Sequence, residues 1–547
     1  MNLGKTIVTG ALLALSSLLG WTSGHIGTLV GTVRGPDGPV EGATVRVQAT
    51  ESAAVTGTDG TFELRHDSGV ESLRLTAWAP GYYIGGGEAV AIDQPVVLHL
   101  TPLPPGDDPE YEWLGAGTTG DEEHHCKRCH AAAGSIPLPF DDWLADGHSR
   151  SATNHRFLTM YNGTDVAGRQ SPPTRYARSP DYGRFPLRPD DEQPFFGPGY
   201  RLDFPDTAGN CATCHVPAAA AHDPFRTDPT AAEGVAREGV TCDVCHKVVG
   251  VVLDPSTGLP FPNRPGVLSF EFRRPDGDHQ LFVGPFDDVA PGEDVYSPLY
   301  RDSSFCAPCH FAAFWDTMIY NSFGEWLASP FSDPEFEGAQ TCQDCHMSRR
   351  GRTHFARLDQ GGQLRRPETV ASHRMLSGAL LESSAQLAVT TRRDGGRVVV
   401  QVEVDNRGTG HHLPTGSPLR QVFLVVSATD GEGNPLELEA GPRLPEWAAD
   451  LEGRPGRAYA KILEELWTGT SPTGAYWNRT RVVEDSRLPA LALDRSEYAF
   501  RAPVDSSVTA SARLVYRRAF RRLAELKGWD DSDLVIAATS ATEAPRD

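Results

Sequence analysis

One pentapeptide pattern uses every cysteine of this chain. Cys-x-x-Cys-His occurs five times in 547 residues, and all 10 cysteines belong to it. A disulfide framework would not explain a histidine after the second cysteine of each copy. Zinc sites need four ligands from two clusters, and a thioredoxin-like motif needs a strand-to-helix context. In chain order, the copies are motif 1 (Cys126, Cys129, His130), motif 2 (Cys211, Cys214, His215), motif 3 (Cys242, Cys245, His246), motif 4 (Cys306, Cys309, His310) and motif 5 (Cys342, Cys345, His346).

The pattern is the attachment signature of c-type haem. Two residues between the thiols place both sulfurs beside the two vinyl groups of one porphyrin, and the next residue lies under the iron as its proximal ligand. The sequence therefore predicts five covalently attached haem c groups. The predicted proximal iron ligands are His130, His215, His246, His310 and His346.

The N-terminus supports this prediction. Residues 1–24, MNLGKTIVTGALLALSSLLGWTSG, carry one cation at Lys5, then a mostly apolar run and small residues at Ser23 and Gly24. This is the pattern of a secretory signal peptide. No other segment is apolar over a spanning length. Because haem c is attached after export, we expect an exported protein without a membrane span, in the periplasm or on the outer cell surface.

The second axial ligands must come from elsewhere in the chain. Of 18 histidines, five are proximal, and His25, His66 and His99 are interpreted as ordinary surface residues. Ligation by two histidines at every haem is therefore feasible, and it lowers the potential relative to His/Met ligation. Ten candidates remain: His124, His125, His148, His155, His222, His279, His354, His373, His411 and His412.

The segment DNRGTGHHLPTG, residues 405–416, places two of these candidates far from any cysteine. It interrupts a β-rich region, and Gly410, Pro414 and Gly416 predict a turn there. Such a turn can push His411 out of a β-domain and against a haem of the neighbouring domain. The alternative is a surface turn of no consequence.

The residues around the motifs resemble those of multihaem cytochromes c of the cytochrome c554-like group, loosely related to the hydroxylamine oxidoreductase type. After motif 1, WLADGHSRSATNHRF is similar to the Trp-x-x-Ser-x-His signature of that group. Trp143 and His148 keep its spacing, and Asp146 stands in place of the serine. GNCATCH, EGVTCDVCH, TCQDCHM, SHRMLSG and GHHLPTG match further pieces, over residues 106–505.

This resemblance implies His148, His373 and His411 as distal iron ligands. GDHQLFVGP makes His279 a further candidate, and His222 follows His215 closely enough to serve an adjacent haem. FGEWLASPF fits the signature at Trp326 and Ser329, but Phe331 replaces its histidine. That segment is therefore predicted to supply no ligand.

Polar–apolar alternation divides the chain into a multidomain protein. Residues 25–103 predict a small antiparallel β-sandwich, and GPVEGATVRV with TGTDGTFEL resembles the carboxypeptidase regulatory-like domain. Residues 104–383 predict an irregular, mainly α and loop pentahaem domain. Residues 384–510 predict a second β-sandwich. Residues 511–547 predict an amphipathic helix with an exposed basic face that includes Arg517, followed by a disordered tail.

A formal net charge of -22 argues against nucleic acid as a partner. The sequence favours an electron carrier with redox proteins or quinol-linked donors as partners, and the β-domains leave a homo-oligomer open. The alternative is an oxidoreductase in which one haem keeps an open site for a small nitrogen or sulfur compound. Motif 1 is the first candidate for that site, because His124, His125, Arg156 and Tyr161 could supply protons.

Overall fold

The computed structural model describes residues 26–67, 69–119, 125–277, 279–376, 378–530 and 532–545. The predicted signal peptide, His25 and His124 lie outside these residues. The chain divides into two units: Met1–Pro102 with Asp287–Gly292, and Leu103–Phe286 with Glu293–Asp547. Within the described residues, no helix is both long and apolar enough to cross a membrane.

The first unit contains two four-stranded sheets, β2-β1-β5 with β8 beside β1, and β4-β3-β6-β7. Alternation builds the core: in β5, Phe62 and Leu64 point inward between exposed neighbours. The predicted antiparallel pairing holds for the strand pairs of this unit except one: β8 enters parallel to β1 after the chain leaves the other sheet. The strands are β1 (Ile26–Gly35), β2 (Gly38–Pro39), β3 (Thr44–Val47), β4 (Ala53–Val55), β5 (Thr61–Asp67), β6 (Ser72–Trp78), β7 (Gly85–Ala91) and β8 (Val96–His99).

A short segment from the middle of the chain also belongs to this unit. Arg46 donates two hydrogen bonds to the Asp287 carboxylate, at 2.7 and 2.9 Å. The backbone N–H of Ala49 donates to Oδ2 of Asp288 at 2.7 Å. The predicted domain 104–383 is therefore interrupted at Asp287–Gly292, because polar contacts pair these residues with β3 and the turn after it.

The middle of the chain is built from short helices and two-stranded ribbons. Its strands pair as β9-β10, β11-β12, β13-β14 and β15-β16. The helices are α1 (Lys127–His130), α2 (Pro139–Leu144), α3 (His155–Asn162), α4 (Tyr200–Asp203), α5 (Ala212–His215), α6 (Pro217–Ala220), α7 (Cys242–Cys245), α8 (Ala307–His310), α9 (Ser322–Leu327), α10 (Cys342–His346) and α11 (Gly378–Ser383). The strands are β9 (Tyr176–Ser179), β10 (Gly183–Pro186), β11 (Val248–Val251), β12 (Phe270–Phe272), β13 (Phe282–Gly284), β14 (Asp294–Tyr296), β15 (Ala312–Phe314) and β16 (Thr317–Tyr320).

The C-terminal part of the second unit is a β-sandwich. One sheet has the order β17-β18-β23-β20 and the other β22-β21-β19-β24-β25. Valines of β18 pack against β19 and β24 in one apolar core. The strands are β17 (Gln386–Asp394), β18 (Arg397–Asp405), β19 (Gln421–Asp430), β20 (Leu438–Ala440), β21 (Gly456–Glu465), β22 (Thr480–Asp485), β23 (Leu493–Arg501), β24 (Val508–Arg517) and β25 (Leu534–Glu543).

The prediction for residues 511–547 was wrong in two respects. The helix is shorter, α12 (Arg521–Lys527), because β24 continues to Arg517. The predicted tail instead forms β25, which pairs antiparallel with β24 and completes the sheet. Arg517 is 1% exposed rather than part of a solvated face, and it pairs with Asp450 and Asp533.

Candidate functional site: histidine pairs around the Cys-x-x-Cys-His motifs

Each Cys-x-x-Cys-His motif folds as one short helical turn, in α1, α5, α7, α8 and α10. The N–H of His130 donates to the carbonyl of Cys126 at 2.9 Å, and that of His246 to Cys242 at 2.9 Å. An i to i+4 bond of this kind brings the histidine one turn above the first cysteine. None of the ten thiols forms a disulfide. Among the described residues, no three His, Cys, Asp or Glu side chains converge as a metal site of their own.

Four of the five motif imidazoles are held by their Nδ1 atoms. Nδ1–H of His130 donates to the carbonyl of Phe355 at 2.8 Å, that of His246 to Val283 at 2.7 Å, and that of His346 to Met375 at 2.9 Å. His215 contacts the carbonyl of Ser151 in the same way at 3.2 Å. A carbonyl on Nδ1 fixes the tautomer and leaves the Nε2 lone pair for a metal.

Burial keeps these rings neutral. It lowers the pKa of His215 to about 4 and that of His310 to about 3. The same cause lowers the pKa of His373 to about 3 and that of His411 to about 4. Neutral imidazole is the form that binds a metal.

Three motif histidines face a histidine from elsewhere in the chain. Ring centroids are 6.4 Å apart for His148 and His310, 6.5 Å for His246 and His373, and 6.3 Å for His346 and His411. A metal–nitrogen bond is about 2 Å long and the centroid lies roughly 1 Å beyond the nitrogen, so two rings on one metal have centroids about 6 Å apart. Each pair therefore has the spacing of two axial ligands.

A buried acid positions His373. The Asp142 carboxylate accepts a hydrogen bond from the N–H of His373 at 2.9 Å and from the hydroxyl of Ser372 at 2.6 Å. It also pairs with Arg352, and both charged side chains are 3% exposed. The first turn of α2 thereby holds the segment that carries a predicted distal ligand.

A second buried acid holds His148. Asp146 is 1% exposed, and its Oδ1 accepts hydrogen bonds from Nδ1 of His148 at 2.7 Å and from the backbone N–H of His148 at 3.0 Å. Its Oδ2 accepts from the N–H of Leu376 at 3.0 Å. Asp146 is the residue that departs from the resembled signature, and here it holds the ring of His148, which pairs with His310.

The loop that carries His411 leaves the C-terminal sandwich after β18. The main-chain carbonyl of His411 accepts hydrogen bonds from Nδ2 of Asn406 at 3.0 Å and from the hydroxyl of Thr409 at 2.7 Å. Gly410 packs so closely on Trp326 that an added Cβ would lie 3.1 Å from that ring. The segment FGEWLASPF thus supplies no ligand among these pairs, but it supports the loop that does.

Two predicted distal ligands lie outside the opposed pairs described above. His222 and His279 are exposed, and their roles as ligands stay predictions. Phe157 stacks on His215 with centroids 3.7 Å apart and planes at 2°. Phe355 lies beside His130, with centroids 6.4 Å apart.

Arg156 and Tyr161, which the sequence associated with motif 1, lie on α3 instead. That helix packs on motif 2 through Phe157. Sequence reasoning missed this because helix α3 follows motif 1 in the chain but folds back on a later one. His125 stays a candidate near motif 1, and both of its ring nitrogens are buried and lack a hydrogen-bond partner.

Thiols of different motifs lie close together. The thiol of Cys126 raises the pKa of the Cys242 thiol, which places motif 1 beside motif 3. In the same way, Cys214 raises the pKa of Cys309 and Cys342 raises that of Cys306, so motif 4 lies beside both motif 2 and motif 5. Motif 4 is therefore central among these neighbouring motifs.

Two carboxylates fix the contact of motifs 1 and 3. The Glu238 carboxylate accepts from the N–H groups of Ala116, Thr118 and Thr119 at 2.6 to 3.0 Å. Asp243, inside motif 3, accepts from the N–H of Leu114 at 2.8 Å. The segment that leads into motif 1 is thus bound to the start of motif 3.

The residues present fit haem c. Paired thiols on one helical turn, a fixed proximal imidazole and an opposed imidazole at metal-spanning distance are the protein's contribution to such a group. Motifs 3 and 5 supply this complete set. Motif 4 supplies the thiols and the opposed rings of His310 and His148, and motifs 1 and 2 supply the thiols and a hydrogen-bonded imidazole.

No protein family matches the chain, and neither does any curated protein. Among solved structures, it is similar to a penta-heme cytochrome c552 from Thermochromatium tepidum, at 19% sequence identity and a TM-score of 0.52. The match covers 76% of this chain and 97% of that one. A PapD-like domain of human CEP192 matches 30% of this chain at 9% identity, covering 89% of that domain. Its TM-score of 0.13 is too low to indicate a shared fold. The chain therefore has the fold of a multihaem cytochrome.

Proposed function

We propose that this protein is an exported electron carrier that holds five covalently bound haem c groups. Haem supplies the one-electron chemistry, and the chain binds, spaces and tunes it. The observation that carries this proposal is the set of three opposed imidazole pairs. In each pair, a motif histidine faces a histidine distant in sequence at 6.3 to 6.5 Å.

The contacts between motifs support a carrier. Cysteines attach at the porphyrin edge, so the thiol contacts between motifs 1 and 3, 2 and 4, and 4 and 5 bring those edges close together. The thiol of Cys245 in motif 3 also lies near Cys306 and Cys309 of motif 4. All five motifs thus belong to one connected set, which suits transfer between redox proteins or from a quinol-linked donor.

Expression in a bacterial host with a cytochrome c maturation system tests the proposal. We expect the secreted protein to lack residues 1–24 and to exceed the polypeptide mass by five haems. Its reduced spectrum should show c-type bands, and an added redox protein should reoxidise it. A product with the mass of bare polypeptide would contradict the proposal. Sedimentation of the same sample measures whether it forms a homo-oligomer.

The surroundings of motif 2 favour a second candidate function, an oxidoreductase with one open haem site. Among the described residues, the ring packed on His215 is a phenyl group, and no imidazole pairs with it. Cys211 lies in a cluster with Tyr161, Tyr200 and Tyr476. Tyr476 is 5.7 Å, by ring centroid, from Tyr320. Tyrosine hydroxyls could donate protons to a small nitrogen or sulfur compound at such a site.

Electron paramagnetic resonance distinguishes the two functions. An open site gives a high-spin ferric signal that changes when nitric oxide is added, whereas a carrier with all axial positions filled gives only low-spin signals. Replacement of Cys211 and Cys214 by Ser, which prevents attachment of a haem at motif 2, should abolish the high-spin signal if motif 2 is its source. The same signal in that variant would assign the open site to another motif.

A further inference from the structure

Among the imidazoles of the three opposed pairs, His148 is the one that donates to a charged group. Nδ1–H of His246, His346 and His411 donates to main-chain carbonyls at 2.7, 2.9 and 3.1 Å. Nδ1–H of His148 donates instead to the buried carboxylate of Asp146 at 2.7 Å. Among the described residues, Nδ1 of His373 is buried without a hydrogen-bond partner.

We propose that Asp146 is a positioning residue that makes the motif-4 haem the hardest of the bis-histidine haems to reduce. The inference rests on the proposed function, because it concerns ligands of an iron that the motifs would bind. It goes further in assigning a specific electronic role to a residue at which this chain departs from the sequence signature it resembles.

The physical reason is the charge of the acceptor. A carboxylate pulls the Nδ1 proton more strongly than a carbonyl does, so the imidazole becomes a more basic donor at Nε2. A more electron-donating axial ligand stabilises ferric over ferrous iron and lowers the potential. The negative charge acts in the same direction, and it is weakly screened because Asp146 is 1% exposed.

The geometry of Asp146 fixes this arrangement. Its Oδ1 accepts from both the ring and the backbone N–H of His148, and its Oδ2 accepts from Leu376. The carboxylate therefore cannot rotate away without losing three hydrogen bonds. The 3₁₀ turn His148–Arg150 starts at the ligand itself, so the backbone bond also sets the direction in which the ring leaves the chain.

The position of motif 4 gives the tuning a consequence. Motif 4 lies close to motifs 2 and 5, because Cys214 and Cys342 raise the pKa values of its two cysteines. If the motif-4 haem has the lowest potential, it is the least reduced at equilibrium. Electron transfer between the haems of motifs 2 and 5 would then require a thermodynamically uphill step through motif 4.

The test is a redox titration of the haem-loaded full chain, with Asp146→Ser, Asp146→Asn and a matched control. In Asp146→Ser, we expect one of the five midpoint potentials to rise. At a fixed potential, the ferrous-to-ferric ratio of that haem should increase about tenfold, which corresponds to about 59 mV for one electron. One low-spin paramagnetic resonance signal should shift with it, because the ligand field of that haem changes. Asp146→Asn should shift the potential in the same direction while keeping the side-chain size.

Asp165→Asn is the control, since Asp165 is also a buried carboxylate, 2% exposed, but it pairs with Arg169 rather than with a histidine of the opposed pairs. It should leave the lowest potential unchanged. Five unchanged potentials in both Asp146 variants, or an equal rise in Asp165→Asn, would overturn the inference. If the Asp146→Ser protein fails to bind five haems, the midpoint potentials of Asp146→Asn test the inference instead. A wild-type protein without haem would instead refute the proposed function, so the two failures are distinguishable.

Discussion

His346 of motif 5 and His411 of the C-terminal sandwich face each other with ring centroids 6.3 Å apart and planes at 22°. One belongs to a helical turn in the middle of the chain and the other to a loop after β18. An iron between them would join the two parts of this unit by a coordinate bond. Hydrogen bonds already join them: Nζ of Lys461 donates to the carbonyls of Met318 and Ile319 at 3.2 Å.

Replacement of His411 by Met should keep the motif-5 haem six-coordinate and raise its potential, because Met is the weaker donor. Replacement by Ala should convert it to high spin. Spectroelectrochemistry and electron paramagnetic resonance measure these changes. His412→Ala is the matched control, since that neighbouring imidazole faces Glu325 rather than a motif histidine. If His412→Ala produced the high-spin signal and His411→Ala did not, the pairing would be wrong.

Removal of the motif-4 haem should slow electron distribution more than removal of the motif-1 haem. Motif 4 contacts motifs 2 and 5, whereas motif 1 contacts motif 3. Rapid mixing of Cys306→Ser/Cys309→Ser with a limiting reductant should show a new slow phase. The Cys126→Ser/Cys129→Ser protein, which also lacks one haem, should equilibrate as the wild type does. Equal slowing in both proteins would contradict the central position of motif 4 among the five motifs.

The Asp142–Arg352 pair should contribute to stability. Both side chains are 3% exposed. Loss of one partner leaves the other charge buried, which typically costs about 3 kcal/mol or more. Asp142→Ala should lower the free energy of unfolding by about 3 kcal/mol, measured by guanidinium denaturation of the haem-loaded protein.

The exposed pair Arg357–Asp359 is the comparison for that measurement. The side chain of Arg357 is 33% exposed and that of Asp359 is 60% exposed. Asp359→Ala should change stability far less than Asp142→Ala, because an exposed ion pair is solvated and screened. Similar losses in the two variants would show that burial does not determine the effect.

Stability should rise with pH between about 7 and 10 because of Lys527, which is 0% exposed. Burial lowers the pKa of Lys527 from 10.5 to about 7. Between these values, the unfolded chain binds a proton that the folded chain does not, so deprotonation favours the folded state. Lys527→Met should flatten this part of the stability curve in denaturation series at several pH values. An unchanged slope would assign the effect to another group.

The fold itself was only partly predictable. Period-2 alternation identified both sandwiches, because half-buried strands impose it locally. Strand direction and the last strand were missed. β8 is parallel to β1, and β25 forms from a segment that carries little apolar periodicity of its own and takes its place by pairing with β24. Such pairing depends on a neighbour remote in sequence.

The site divides in the same way. The proximal set, Cys-x-x-Cys-His, is a local pattern, because its three reacting side chains lie on one helical turn and need no distant partner. Family resemblance implied His148, His373 and His411, and the structure places each opposite a motif histidine. Which histidine faces which motif could not be read from spacing, since motif 4 pairs with a residue that follows motif 1.

The sequence by itself determined the cofactor chemistry, since thiols and imidazole at that spacing suit one porphyrin whatever the fold around them. Tertiary structure decided which rings oppose each other, which motifs touch, and what each ligand donates to. In the sequence, Asp146 is a departure from the resembled signature. In the structure, it is buried and accepts a hydrogen bond from His148. Ligand pairing depends on distances of a few ångströms between segments remote in sequence, and electrostatic tuning depends on which of these segments become buried together; only packing decides both.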